Sequence, residues 1–96
     1  MREYETLFVM RPRTSDKEVE DLKARIGKLA EDHEGQLILH QSLGRKALPF
    51  PMQKEKEGIY IHVDYTGNNK VVSQMETILR HDERIIRFMT TVTKKN

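Results

Sequence analysis

The chain has 96 residues, no cysteine, and 17 Lys and Arg against 15 Asp and Glu, for a formal net charge of +2. That length suits one core without an internal linker, and the missing cysteines exclude disulfides, thiol catalysis and cysteine-ligated zinc. No stretch nears the ~18 apolar residues of a membrane span, and Met1-Arg2-Glu3-Tyr4-Glu5 lacks the apolar run of a secretory signal, so a cytoplasmic protein is expected.

Tyr4 to Met10 alternates Tyr4, Thr6, Phe8 and Met10 with Glu5, Leu7 and Val9. Both sets are largely apolar, which predicts a central strand covered at least partly on each face. Arg11-Pro12-Arg13 ends it, because proline cannot donate to a ladder. Ser15-Asp16-Lys17-Glu18 is a capping box, in which hydroxyl and carboxylate each satisfy a free amide of the first turn. Val19, Leu22, Ile26, Leu29 and Ala30 then recur at helical spacing, and Gly35 is read as the left-handed stop. Gly27, inside this helix, costs about 1 kcal/mol against alanine and suggests the close approach of another element. Residues 16–34 hold four basic and seven acidic side chains, a local −3 that leaves +5 for the remainder. One acidic helix against a basic remainder gives a field that can orient the molecule on a polyanion.

Gln36 to Pro51 begins as a strand and runs into a basic turn, Gly44-Arg45-Lys46, before Leu48-Pro49-Phe50-Pro51, where two prolines demand an edge or a bulge. Lys54 to Gly58 reads as a charged hairpin loop. Ile59, Ile61, Val63 and Tyr65 alternate with Tyr60, His62 and Asp64 in a further strand. Gly67-Asn68-Asn69 supplies a turn and N-cap, and Val71, Val72, Met75, Ile78 and Leu79 form one stripe of a second helix. Ile85 to Thr93 is the last strand, and Lys94-Lys95-Asn96 a basic tail. The order β-α-β-β-α-β predicts an α+β, ferredoxin-like domain spanning residues 1–96. Its four-stranded antiparallel sheet carries both helices on one face, with the first and third strands central. The other face is then bare and displays Leu7, Val9, Tyr60, His62, Arg87 and Met89, a mixed apolar, aromatic and basic surface suited to a partner.

A catalytic site is not expected. The five glycines are isolated, so no phosphate-cradling loop exists, and the acylphosphatase pattern lacks its glycine-rich cradle after the first strand. Ser15, Ser42 and Ser73 have no base-and-orienter set. His33, His40, His62 and His81 show no metal-ligand spacing. His40 and His62 can approach across the hairpin pair, but two ligands alone do not make a site, so neither metal nor cofactor is expected.

The stretch Leu43-Gly44-Arg45-Lys46-Ala47-Leu48-Pro49-Phe50-Pro51-Met52 resembles the signature of the protein-six family of the bacterial small (30S) ribosomal subunit. Further likeness lies in the opening Met1 to Glu5, the terminator Arg11-Pro12, the segment Lys54 to Tyr60, and the ending from Leu79-Arg80 through Met89. Three positions depart from the pattern: Pro49 for a small residue, Phe50 for tyrosine, and Met52 for isoleucine. The resemblance implies a structural protein with no cofactor and no catalysis. It also implies binding to the central domain, or platform, of the small-subunit ribosomal RNA in company with ribosomal protein eighteen. The cationic candidates for phosphate contact are Arg2, Arg45, Lys46, Lys54, Lys56, Arg80, Arg84, Arg87, Lys94 and Lys95. The candidates for the protein partner are Leu7, Val9, Tyr60, His62 and Met89, since methionine adapts to irregular surfaces. Phe50, held between prolines, is read as covering the edge of the core rather than stacking on a base. Two other readings use the same topology. One is an RNA recognition motif, which stacks single-stranded bases on paired aromatics of the central strands; here Tyr60 alone faces outward. The other is a small-molecule sensor or homodimer built on the open sheet.

Overall fold

A computed structural model describes residues 2–94. Its elements are β1 (Arg2–Met10), α1 (Asp16–Asp32), β2 (Gln36–Met52), β3 (Glu55–Gly67), α2 (Asn69–Arg80) and β4 (Ile85–Lys94), and the sheet order is β2-β3-β1-β4, antiparallel throughout. The expected topology is therefore present, with β1 and β3 central.

Alternation along β1 decides which side chains enter the core. Tyr4, Thr6, Phe8 and Met10 are buried under the helices, where they meet Ile61, Val63 and Tyr65 of β3 and the stripes Val19, Leu22, Ile26, Ala30 of α1 and Val71, Met75, Leu79 of α2. Burying each such large side chain contributes roughly 1.5–3 kcal/mol. The Tyr4 and Tyr65 rings stack at 5.6 Å. Thr6, polar within this core, is satisfied by the Tyr65 hydroxyl at 3.0 Å and the Thr90 hydroxyl at 2.9 Å. Burial pushes the Tyr65 hydroxyl's pKa up.

Both helices start as the sequence predicts. In α1 the Glu18 amide donates to Ser15 Oγ at 3.2 Å, and the Ser15 amide to Glu18 Oε1 at 3.1 Å. These bonds lower the Glu18 carboxyl below its ordinary value. In α2, Asn68 Oδ1 accepts from the amides of Lys70 and Val71.

The end of α1 differs from expectation. The left-handed residue is Glu34, at φ 66°, not Gly35. Gly35 is small for another reason: a Cβ there would stand 2.3 Å from the Thr66 carbonyl oxygen of β3. Gly27 answers no such need, since a Cβ would meet Leu37 at an ordinary 3.6 Å.

The segment around the basic signature also differs. Gly44-Arg45-Lys46 is not a turn but part of the 17-residue edge strand β2, and Gly44 takes φ 84° at a bulge where Leu43 is the extra residue. The charged loop expected over 54–58 is instead a two-residue turn, Gln53-Lys54, with φ of 49° and 67°. Two left-handed central residues form the tight turn whose twist suits a hairpin, so β3 begins at Glu55. The prolines fall where the ladder is broken, between Ala47 and Met52, because neither can donate a ladder hydrogen bond.

Candidate nucleic-acid and partner interface

β1 ends at Met10, opposite Ile59, so the hairpin from Arg45 onward overhangs the central strand. The irregular stretch 48–51 lets this overhang curl back across the helix-free face. Leu48 packs there with Val9 and Ile86, flanked by Met52 and Tyr60, as a second small core. A bulge in β4 helps: Val9 pairs with Arg87 and Met10 with Ile85, leaving Ile86 as the extra residue. Arg11 anchors the turn. Its Nη2 donates to Gln53 Oε1 at 2.7 Å, its Nη1 to Glu55 at 3.3 Å and its Nε to the Glu83 carbonyl at 2.8 Å, while Gln53 Nε2 donates to the Ile86 carbonyl at 3.1 Å. Arg45 donates to the Pro12 carbonyl at 2.8 Å.

The open face is thus only partly bare. Between the hairpin and the strands lies a cleft of about 190 Å³, lined by Leu7, Val9, Tyr60, Phe88 and Met89 below, by Leu48, Pro49 and Met52 on the hairpin side, and by Arg87. Four of the five expected partner residues line it. Val9 is the correction among them, because at 5% exposure it belongs to the core beneath Leu48 and presents little surface. Met89 is 52% exposed, and Leu7 and Tyr60 are half-buried. His62 lies elsewhere on this face, 3.3 Å from Glu5 and 3.2 Å from Asp64. His40 is not its neighbour in space. It pairs with Val63 and borders a groove beside Glu20 and Lys23 of α1, on the opposite side of the sheet.

The cationic candidates divide between the ends of the sheet. Arg45, Lys46, Lys54 and Lys56 are exposed along the overhanging hairpin, and Arg87 is exposed beside the cleft. Lys46 Nζ lies 6.0 Å from the centre of the Tyr60 ring, at the outer limit of cation–π attraction. Arg2, at the opposite end of β1, and Arg80, over the Phe88 ring at 5.8 Å, border a separate groove by α2. Arg84 is already engaged by Asp82 at 2.7 Å and Glu18 at 3.4 Å. These bonds raise its own pKa and hold Asp82 below the ordinary carboxyl value. The charge of Arg84 is therefore largely spent inside the protein. Lys94 is described through its backbone, and Lys95 lies outside the described residues.

Sequence reasoning missed three contributors. Leu48 covers the face, a role assigned to Phe50, which is instead 58% exposed. Arg11, read only as part of a strand terminator, and Gln53 together fix the hairpin. The available signal was an apolar Leu48 and Met52 flanking the prolines, since a solvated turn has no use for either.

A split β-α-β sheet with a partly roofed apolar face and a cationic hairpin is the surface of a binding module of the ferredoxin-like class. A sequence profile described as Ribosomal protein S6 matches residues 3–92. The chain belongs to the ribosomal protein S6 family. It is 32% identical over 87 residues to small ribosomal subunit protein bS6 of Prochlorococcus marinus strain NATL2A, covering 91% of this chain and 63% of that protein. It is 32% identical over 90 residues to bS6 of Porphyromonas gingivalis, covering 94% and 77%. The crystal structure of 30S ribosomal protein S6 from Thermotoga maritima superposes with a TM-score of 0.85 at 25% identity, over 95% of this chain and 86% of that one. The chain spans somewhat over three-fifths of the Prochlorococcus relative's length. No helix among the described residues is long and apolar enough to cross a membrane.

Proposed function

We propose that the chain is a structural, non-catalytic constituent of the bacterial small ribosomal subunit in the cytoplasm. In this reading it binds the platform region of the small-subunit ribosomal RNA together with ribosomal protein eighteen. Family membership supports the ribosomal role. The observation that carries the binding mode is the overhanging hairpin, which sets exposed Arg45, Lys46, Lys54 and Lys56 beside the apolar cleft of Leu7, Tyr60 and Met89. Lysine and arginine neutralise phosphates and release counterions, which gives affinity without base reading. An apolar cleft with an arginine beside it suits a protein segment better than a nucleic acid backbone. The recognition-motif alternative finds little support, because Tyr60 is half-buried and no second aromatic accompanies it on the exposed side of β1 or β3.

Filter binding of the chain to a platform RNA fragment, with and without protein eighteen and at several salt concentrations, tests the reading. Affinity should fall steeply with salt and rise when the partner is present. Sedimentation with small subunits lacking this protein provides the companion measurement. No association in either assay sinks the proposal.

A further inference from the structure

Glu5 of β1 and Asp64 of β3 are direct partners across the antiparallel ladder, a position where two like charges oppose each other. Among the described residues neither has an arginine or lysine within 4.0 Å; the one basic group beside them is His62. The positions paired with this set on the flanking strands, Thr91, Leu39 and Gln41, are uncharged.

His62 Nε2 lies 3.3 Å from Glu5 Oε2 and 3.2 Å from Asp64 Oδ1. The three side chains are half-buried, and their ligand atoms all lie within 4.8 Å of one another. A histidinium clamped between carboxylates would aim its N–H at an oxygen. Here His62 Nε2 and Asp64 Oδ1 have almost no solvent contact, yet neither has a hydrogen-bond partner. The atoms are close but converge at angles unsuited to a proton bridge. Tetrahedral zinc bonds, at about 2.0–2.2 Å to nitrogen and oxygen, place adjacent ligand atoms roughly 3.3–3.5 Å apart. The two histidine–carboxylate separations fall close to that spacing. Two carboxylates and a neutral imidazole carry a charge that one divalent ion cancels.

We infer that Glu5, His62 and Asp64 form a binding site for a first-row divalent cation on the helix-free sheet face. The nitrogen and oxygen donors suit Zn²⁺, with solvent completing the fourth position. The site is separate from the RNA reading and stands whether or not that reading survives.

Isothermal titration of the full chain with Zn²⁺ tests it, alongside Co²⁺ as a spectroscopic probe. One equivalent should bind saturably, with visible Co²⁺ bands of tetrahedral intensity, and Zn²⁺ should raise the Tm by mass action. Asp64→Asn and Glu5→Gln keep side-chain size, and His62→Ala removes the nitrogen ligand. Each should weaken binding by more than about tenfold, since losing a direct ligand costs more than losing an outer hydrogen bond. Circular dichroism confirms that each variant is folded. Absence of saturable binding to the wild-type chain overturns the inference. So does binding that the folded Asp64→Asn and Glu5→Gln variants retain unchanged, which would place the ion on other groups.

Discussion

Two adjacent residues at the end of α1 carry opposite demands. Glu34 occupies a left-handed conformation that an L side chain resists, whereas Gly35 fills a gap closed by the Thr66 carbonyl. Glu34→Gly should raise stability by about 1 kcal/mol. Gly35→Ala should lower it by about 1–3 kcal/mol, because backbone, unlike a side-chain tip, cannot step aside. Urea unfolding midpoints measure both. Asp82 makes a further residue-scale prediction. Its side chain is 9% exposed, and the Arg84 guanidinium holds its carboxyl below the ordinary 3.8. Folding is thus favoured by the ionised form. That contribution is complete above the ordinary value and disappears as pH falls through the lower, folded-state value. Asp82→Asn should cost about 1.5 kcal/mol at pH 7, and its difference from wild type should shrink in acid, as followed by urea titrations from pH 7 down to about pH 2.5.

At the scale of elements, the hairpin is the part with a fold of its own. Leu48 is its hydrophobic anchor on Val9 and Ile86. Leu48→Ala should cost about 2–3 kcal/mol, near the lower end for a buried leucine because its site borders solvent. Hydrogen exchange should accelerate mainly over residues 45–57, leaving the helices protected; uniform acceleration would mean that the hairpin is not a separable unit. The helices, the central strands and their order were legible because period, cap and turn residues agree. Ser15 with Glu18 marks one helix start, Asn68 the other, and Ile59 to Tyr65 alternates cleanly. The hairpin's path was not legible. Gln53 and Lys54 are not residue types that announce a left-handed turn, and the lock they enter comes from Arg11 and Ile86, far away in sequence. Glu5 and His62 likewise sit 57 positions apart and meet only through strand pairing.

For the whole molecule, placement of charge matters more than its sum. A net +2 is weak, but the hairpin concentrates cations at one end while Arg84 is consumed internally by Asp82 and Glu18. Replacing both Arg45 and Lys46 by glutamate should therefore weaken RNA binding and lower the magnitude of its salt slope by about 2, one unit per lost phosphate contact. The same change at Arg84 should mainly reduce stability. Filter-binding slopes for the two sets, read beside their unfolding midpoints, separate these roles.

The outer margin of β2 remains, with Ile38, Leu39 and Leu43 between 38% and 50% exposed. A straight margin of that length and greasiness would invite copies to zip together into fibres. Ile38 and Leu43 are each the supernumerary residue of a bulge, so the ribbon is kinked at the positions where it is stickiest. Irregularity there works as a guard against polymerisation, keeping unassembled chains dispersed.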